Sequence, residues 1–143
     1  MVSRDRNETE LARSMAGWVK GEFPGLPDRA GVRERGSMLI AWTTLPSVEA
    51  ANQLAADVVA QGLAACVQVD GPVTSHYRWE GKVEQTEEFR LCFKFLDSQQ
   101  AALEAHVRSA HSYDTPEWIV VRAEHVGEKY LSWAQAVSTS SPL

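Results

Sequence analysis

Cysteine is scarce in this chain. Among 143 residues only Cys66 and Cys92 carry thiols, too few for a disulfide framework, so free thiols in a reducing cytoplasm are expected. Long hydrophobic runs are also missing. No stretch approaches the ~20 apolar residues that span a bilayer, and the leading MVSRDRNETELARS lacks the apolar region of an export signal. Neither a membrane association nor secretion is therefore expected. Basic charge is in short supply as well: 14 Lys and Arg stand against 19 Asp and Glu. Residues 1–37 hold seven basic and six acidic side chains, and residues 38–143 hold seven and thirteen. An acidic domain repels phosphate backbones, which disfavours nucleic-acid binding.

Familiar reaction motifs are absent too. The chain contains no Cys-x-x-Cys, His-x-x-x-His or His-Glu-x-x-His, no Gly-x-Ser-x-Gly elbow and no glycine-rich phosphate loop. The histidines His76, His106, His111 and His125 are scattered over separate elements. No catalytic residue is assigned, no enzyme activity is expected, and no cofactor is certain.

What is present is ordinary globular composition, 44% hydrophobic and 23% charged, enough for one continuous core. Residues 1–37 differ from the rest. Glu8 to Lys20 has helical spacing of Leu11, Met15, Trp18 and Val19, followed by proline, glycine and charge without an apolar period. This segment is read as an extension, partly helical or a mobile linker, ahead of a domain at residues 38–143. Within that domain Met38–Thr44 reads as a central strand, and Ser47 is a good N-cap for a helix over Val48–Gln61 that Gly62 would end. Asp97-Ser98-Gln99-Gln100 supplies a cap for a second amphipathic helix carrying Leu103, Val107 and Ala110. Residues 111–117 form a loop, Trp118–Ala123 is a nearly continuous apolar strand, and Tyr130, Leu131, Ala134 and Val137 mark a last helix.

The central stretch, Leu63 to Leu96, reads as two long strands folded back at Glu80-Gly81-Lys82. Asp70-Gly71-Pro72 interrupts the first limb and calls for a bulge or bend, because proline cannot donate to a ladder and glycine relaxes the backbone. Two registers are compatible with the pattern. A three-residue loop at Glu80-Gly81-Lys82 sets Val69 against Phe93. A two-residue Glu80-Gly81 turn needs a bulge at Gly71 to restore apolar pairing further down. The resulting order, β-α-β-β-α-β-α, implies an α+β fold of the ferredoxin-like split βαβ type, with two helices on one face of a four-stranded antiparallel sheet. The distal hairpin, from about Thr74 to Gln85, extends past those helices. A symmetric oligomer would supply its missing partner.

Four segments resemble the signatures of the CutA divalent-cation-tolerance family: Leu63-Ala64-Ala65-Cys66-Val67, Ser75-His76-Tyr77-Arg78-Trp79-Glu80-Gly81-Lys82, Thr115-Pro116-Glu117 and Tyr130-Leu131-Ser132-Trp133. Their order and spacing fit from Met38 to about Val137. The resemblance implies a cytoplasmic homotrimer assembled through hairpin strands 64–96 and a link to tolerance of copper or other divalent cations, without an accepted reaction. Some members carry a Cys at the end of the first strand and a His-His pair after the second helix. Thr43 and Ala110-His111 occupy those places here, so His111 is the one metal candidate retained from that set.

Other candidate ligand residues are Tyr113 and Glu117 in the loop, Trp79 and Lys82 at the hairpin tip, and Cys66, a soft Cu(I) ligand or a plain buried thiol. Tyr113 and Glu117 could equally satisfy backbone groups, and Lys82 could form an intersubunit ion pair. Cys92 lies between Arg90 and Lys94, charges that lower a thiol pKa. An acylphosphatase-like reading is rejected because Thr44-Leu45-Pro46-Ser47 has no Arg or glycine run. An RNA-binding reading fails because Phe89, Phe93 and Phe95 share one strand face, as core residues do. Two functions remain: a trimeric ion-responsive or ligand-binding protein, or a structural or regulatory trimer that docks a partner protein and holds no metal.

Overall fold

The computed structural model describes residues 37–138. The helix expected over Glu8–Lys20, the linker after it and the last five residues lie outside that range.

Strand β1 (Met38–Leu45) alternates from Leu39 onward, with Met38 buried as well. Leu39, Ala41, Thr43 and Leu45 are buried on one face. Helix α1 (Val48–Ala60) begins where Ser47 Oγ accepts the Ala50 N–H at 3.2 Å, and it buries Ala51, Leu54 and Val58. Strands β2 (Cys66–Trp79) and β3 (Lys82–Leu96) follow as the long hairpin. A 3₁₀ turn, Asp97–Gln99, leads into α2 (Gln100–Ala110), which buries Leu103 and Val107. The chain closes with β4 (Ile119–Arg122) and α3 (Glu128–Ser138). Every neighbouring pair in the sheet is antiparallel, in the order β2-β3-β1-β4.

The main core lies between this sheet and α1 and α2. Leu91, Phe93 and Phe95 of β3 are fully buried there, facing Thr43, Ala41 and Leu39 of β1. Burial of each such large side chain is worth ~1.5–3 kcal/mol. Gln99, within the expected capping segment Asp97-Ser98-Gln99-Gln100, ties this layer together. Its Oε1 accepts the Leu96 N–H at 2.8 Å and its Nε2 donates to the Gly62 carbonyl at 2.7 Å, joining the end of β3 to the end of α1.

The last strand is shorter and less buried than its apolar run suggests. β4 is an edge strand paired only with β1, and its side chains alternate between the helix-covered face and the open face on the other side of the sheet. Val120 packs on the core, while Ile119 and Val121 are 50% and 41% exposed. Helix α3 covers the same open face, but only at the Met38 end of β1. There Ala134 packs with Met38 and Ala65 in a second, smaller cluster.

The hairpin adopts the two-residue turn. Trp79 pairs with Lys82 across Glu80 and Gly81, whose φ values of 49° and 78° are those of a turn matching the strand twist. The register then shifts between Asp70 and Val73, leaving Gly71 and Pro72 opposite Phe89. The Gly71–Pro72 bond is cis. Below the bulge Val69 meets Leu91 and Val67 meets Phe93, which restores the apolar pairing. Gly71 sits at φ +142°, and a Cβ added there would lie 2.8 Å from Phe89 Cδ1 and 3.1 Å from the Glu88 carbonyl oxygen.

Both the backbone conformation and the contact exclude a side chain at position 71. Gly71→Ala should therefore destabilise the domain by about 2–4 kcal/mol. Gly62→Ala, at φ +68° with open space around it, should cost about 1–2 kcal/mol. Urea unfolding midpoints check the difference, and equal losses would contradict the bulge geometry.

Candidate functional site

The bulge decides which way the hairpin's aromatic residues point. Val69 opposes Leu91 on the helix-covered face, but Val73 opposes Glu88, which lies on the other face. Ser75, Tyr77 and Trp79 follow Val73 by alternation, so they project from the open face together with Glu88 and Thr44.

The loop after α2 arrives at the same place. His111 leaves the helix in an extended conformation, with φ −75° and ψ 136°. Its Nδ1 accepts the Tyr113 N–H at 3.1 Å, so the ring proton resides on Nε2. That proton is donated to the Thr44 carbonyl at 2.9 Å, with Thr43 Oγ1 at 3.1 Å from the same nitrogen. Burial lowers the His111 pKa below the usual imidazole range, against the opposing influence of the Thr44 carbonyl and the Glu88 charge. A neutral ring with both nitrogens engaged thus clasps the loop to the end of β1.

Held in this way, Tyr113 reaches across the sheet. Its hydroxyl donates to Glu88 Oε2 at 3.2 Å, and its ring lies 5.0 Å from that of His111. Burial first, then the Glu88 charge and hydrogen bond, raise the Tyr113 pKa and keep the phenol protonated. Loop, β1 end and hairpin enclose a cleft of about 770 Å³. Tyr113, Asp114 and Glu117 line it from the loop, and His76, Tyr77, Trp79 and Glu88 from the hairpin.

Three of the sequence candidates, Tyr113, Glu117 and Trp79, are brought together here. The other three are not cleft-lining residues. His111 stands behind the loop as its clasp, and Lys82 is exposed at the hairpin turn. Cys66 lies at the opposite end of β2, paired with Lys94 and close to Tyr130, whose pKa is raised by burial and then by that thiol. Burial also raises the Cys92 thiol, outweighing the lowering by Lys94 and Arg90, so that cysteine is not activated. Among the described residues no group of three or more His, Cys, Asp or Glu side chains is placed to hold a metal ion. Glu88 was not singled out from the sequence, because next to Glu87 it reads as one more solvated charge. Its burial, at 8% exposed, depends on the register.

The depressed His111 pKa has a definite sign for stability. The unfolded chain binds the proton more readily, so the contribution of this clasp is complete above about pH 6.5 and is lost as pH falls through the lower folded value. The thermal midpoint should drop between pH 7.5 and 5.5 more steeply in the wild type than in His111→Gln. At pH 7.5 that variant should be less stable by about 1–2 kcal/mol through the lost hydrogen bonds. Melts across the pH series check both expectations.

Comparison with known proteins bears on the whole domain. The family model described as CutA1 divalent ion tolerance protein matches residues 39–137. The divalent-cation tolerance protein CutA of Yersinia pestis (strain Pestoides F) is 40% identical over 98 residues, 68% of this chain and 82% of that one. Protein CutA of Mus musculus is 34% identical over 132 residues, covering 91% of this chain and 75% of the mouse protein. The crystal structure of CutA1 from Shewanella sp. SIB1 superposes with a TM-score of 0.71 at 31% identity, over 75% of this chain and 100% of that one. By sequence and by fold, the chain belongs to the CutA1 divalent ion tolerance family.

Proposed function

We propose that this protein is a cytoplasmic homotrimer of ferredoxin-like subunits that acts in divalent-cation tolerance, copper included, by binding a metal ion or small ligand beside loop 111–117 rather than by catalysis. The observation that carries the assembly is the distal hairpin. β1 pairs with β3 only as far as Phe89, so from Val73 to Glu88 the ribbon is two-stranded, with no third strand among the described residues. Isolated two-stranded ribbons are marginal in water, yet this one exposes Val83 at 72% and Trp79 at 50%. Pairing with hairpins of two neighbours would cover both. The exposed Ile119 and Val121 on the open sheet face and Trp133 on α3 add apolar surface for the same purpose. The free thiols of Cys66 and Cys92 suit a reducing compartment.

Within one chain the donors do not fit a closed metal site. His111 has both nitrogens hydrogen-bonded, and no second ligand set converges on it among the described residues. Metal uptake at this loop therefore requires the clasp to open or donors from a neighbouring subunit. The same observation favours the second reading, a structural or regulatory trimer that docks a partner protein and binds no metal.

Sedimentation equilibrium at micromolar concentration should give three times the 15.8-kDa chain mass; a monomer mass would contradict the assembly. Calorimetric titration of reduced, metal-free protein with Cu(I) and Cu(II) separates the two functions. Saturable uptake that His111→Ala weakens supports the first. No saturable uptake, with the variant indistinguishable from wild type, supports the second.

A further inference from the structure

The two cysteines come together on the core half of the hairpin, at the far end of β2 from the cleft. We propose that Cys66 and Cys92 form a two-coordinate site for a soft monovalent cation of the Cu(I) type, separate from loop 111–117 and independent of the metal reading given to that loop. The strand register makes the pair. Cys66 lies opposite Lys94 and Cys92 opposite Gln68, so the cysteines occupy diagonal positions on adjacent strands. On their other side Cys92 and Lys94 pair with Trp42 and Ile40, which alternate with the buried row Leu39, Ala41, Thr43 and Leu45. Both thiols therefore project from the face opposite the main core. Diagonal neighbours lie about 7–8 Å apart at Cα, wider than the ~6.8 Å limit of a direct disulfide. An ion between the two sulfurs spans that extra distance.

Helix α3 of the same chain closes over the pair. Both cysteines are half-buried free thiols. The Tyr130 phenol is held up by burial, then by the charge and hydrogen bond of Cys66, and then by Cys92. Cys92 in turn is raised by burial first and again by Cys66, so the three groups sense one another. The Trp133 ring lies 5.4 Å from that of Tyr130 and extends the cover. Both donors and the helix above them belong to one chain, so the donor set is complete before a neighbouring subunit joins.

Donor type and number select the ion. Thiolates are soft ligands that favour Cu(I). Structural zinc takes four donors, and among the described residues no group of three or more His, Cys, Asp or Glu side chains is placed to hold a metal. Two thiolates suffice for an ion that accepts linear coordination. On binding, each thiol gives its proton to water and each sulfur forms one bond to the ion, which leaves a complex with one net negative charge. Lys94 is placed to offset that charge. It stands opposite Cys66 in the same row as Cys92, its Nζ donates to Gln68 Oε1 at 2.7 Å, and it lies 6.0 Å from the Tyr130 ring centroid.

Anaerobic titration of the full, reduced chain with Cu(I) held by a chromogenic chelator, without added thiol, tests the site. The protein should withdraw one ion per chain from the chelator, with an ultraviolet thiolate-to-metal absorption and release of two protons per ion in weak buffer. Cys66→Ser and Cys92→Ser should each weaken uptake about 100-fold, and Lys94→Gln about tenfold. Zn²⁺ should not compete, and His111→Ala should leave uptake unchanged. Thermal melts and sedimentation accompany each variant. Should Cys66→Ser fail to fold, Cys92→Ser carries the test. Absence of uptake by the wild type, full uptake by Cys92→Ser, or equal competition by Zn²⁺ would overturn the proposal. The variants also keep the two metal readings distinct. Cu(I) uptake lost in His111→Ala but retained in Cys92→Ser overturns the thiolate site and supports the loop. The reverse dependence supports the thiolate site, whatever the loop binds.

Discussion

The close approach of Gly71 to Phe89 is the constraint on which the rest of this structure depends. With no side chain at position 71, the backbone of β2 can pass within contact distance of Phe89 and place two residues opposite one. That extra residue reverses which face each later side chain of β2 occupies. Below it, Val67 and Val69 close the core over Phe93 and Leu91. Above it, Ser75, Tyr77 and Trp79 project from the open face. One backbone irregularity thus divides a long strand into a core half and a cleft half.

The two faces of the sheet have separate tasks as a result. The helix-covered face holds the fully buried residues of β1 and β3 and supplies most of the apolar burial. The open face is only partly occupied. Helix α3 covers its Met38 end, and the cleft forms at the Thr44 end, where the His111 clasp holds the loop against β1. Between them lie Trp42, Ile119 and Val121, an apolar band consistent with the proposed assembly.

The elements were largely legible in the sequence, because their signals are local. Ser47 and Gly62 bound α1 through cap chemistry, and the alternation of Phe89, Leu91, Phe93 and Phe95 assigns the inner face of β3 without reference to any partner. The family resemblance rested on short segments of the same kind. The site was legible only in part. Tyr113, Glu117 and Trp79 stood out by residue type, but Lys82, Cys66 and His111 shared that quality and do not line the cleft. Thr43 and His111, separated by most of the domain, become hydrogen-bonding neighbours only when α2 packs beside β1.

By itself, the sequence determined the order of strands and helices, the core face of β3 and of the helices, the need for a bulge or bend at Gly71-Pro72 and membership of the family. Periodicity, caps and glycine stereochemistry act over a few residues and leave direct marks in the chain. Only the tertiary structure decided the two-residue turn, the exposure of β4 and the burial of Glu88 beside Tyr113. Glu87 and Glu88 are the same residue type in adjacent positions. Which of them is buried depends on the register across the bulge and on a loop that begins more than twenty residues later, and these are relations between distant segments that no local pattern encodes.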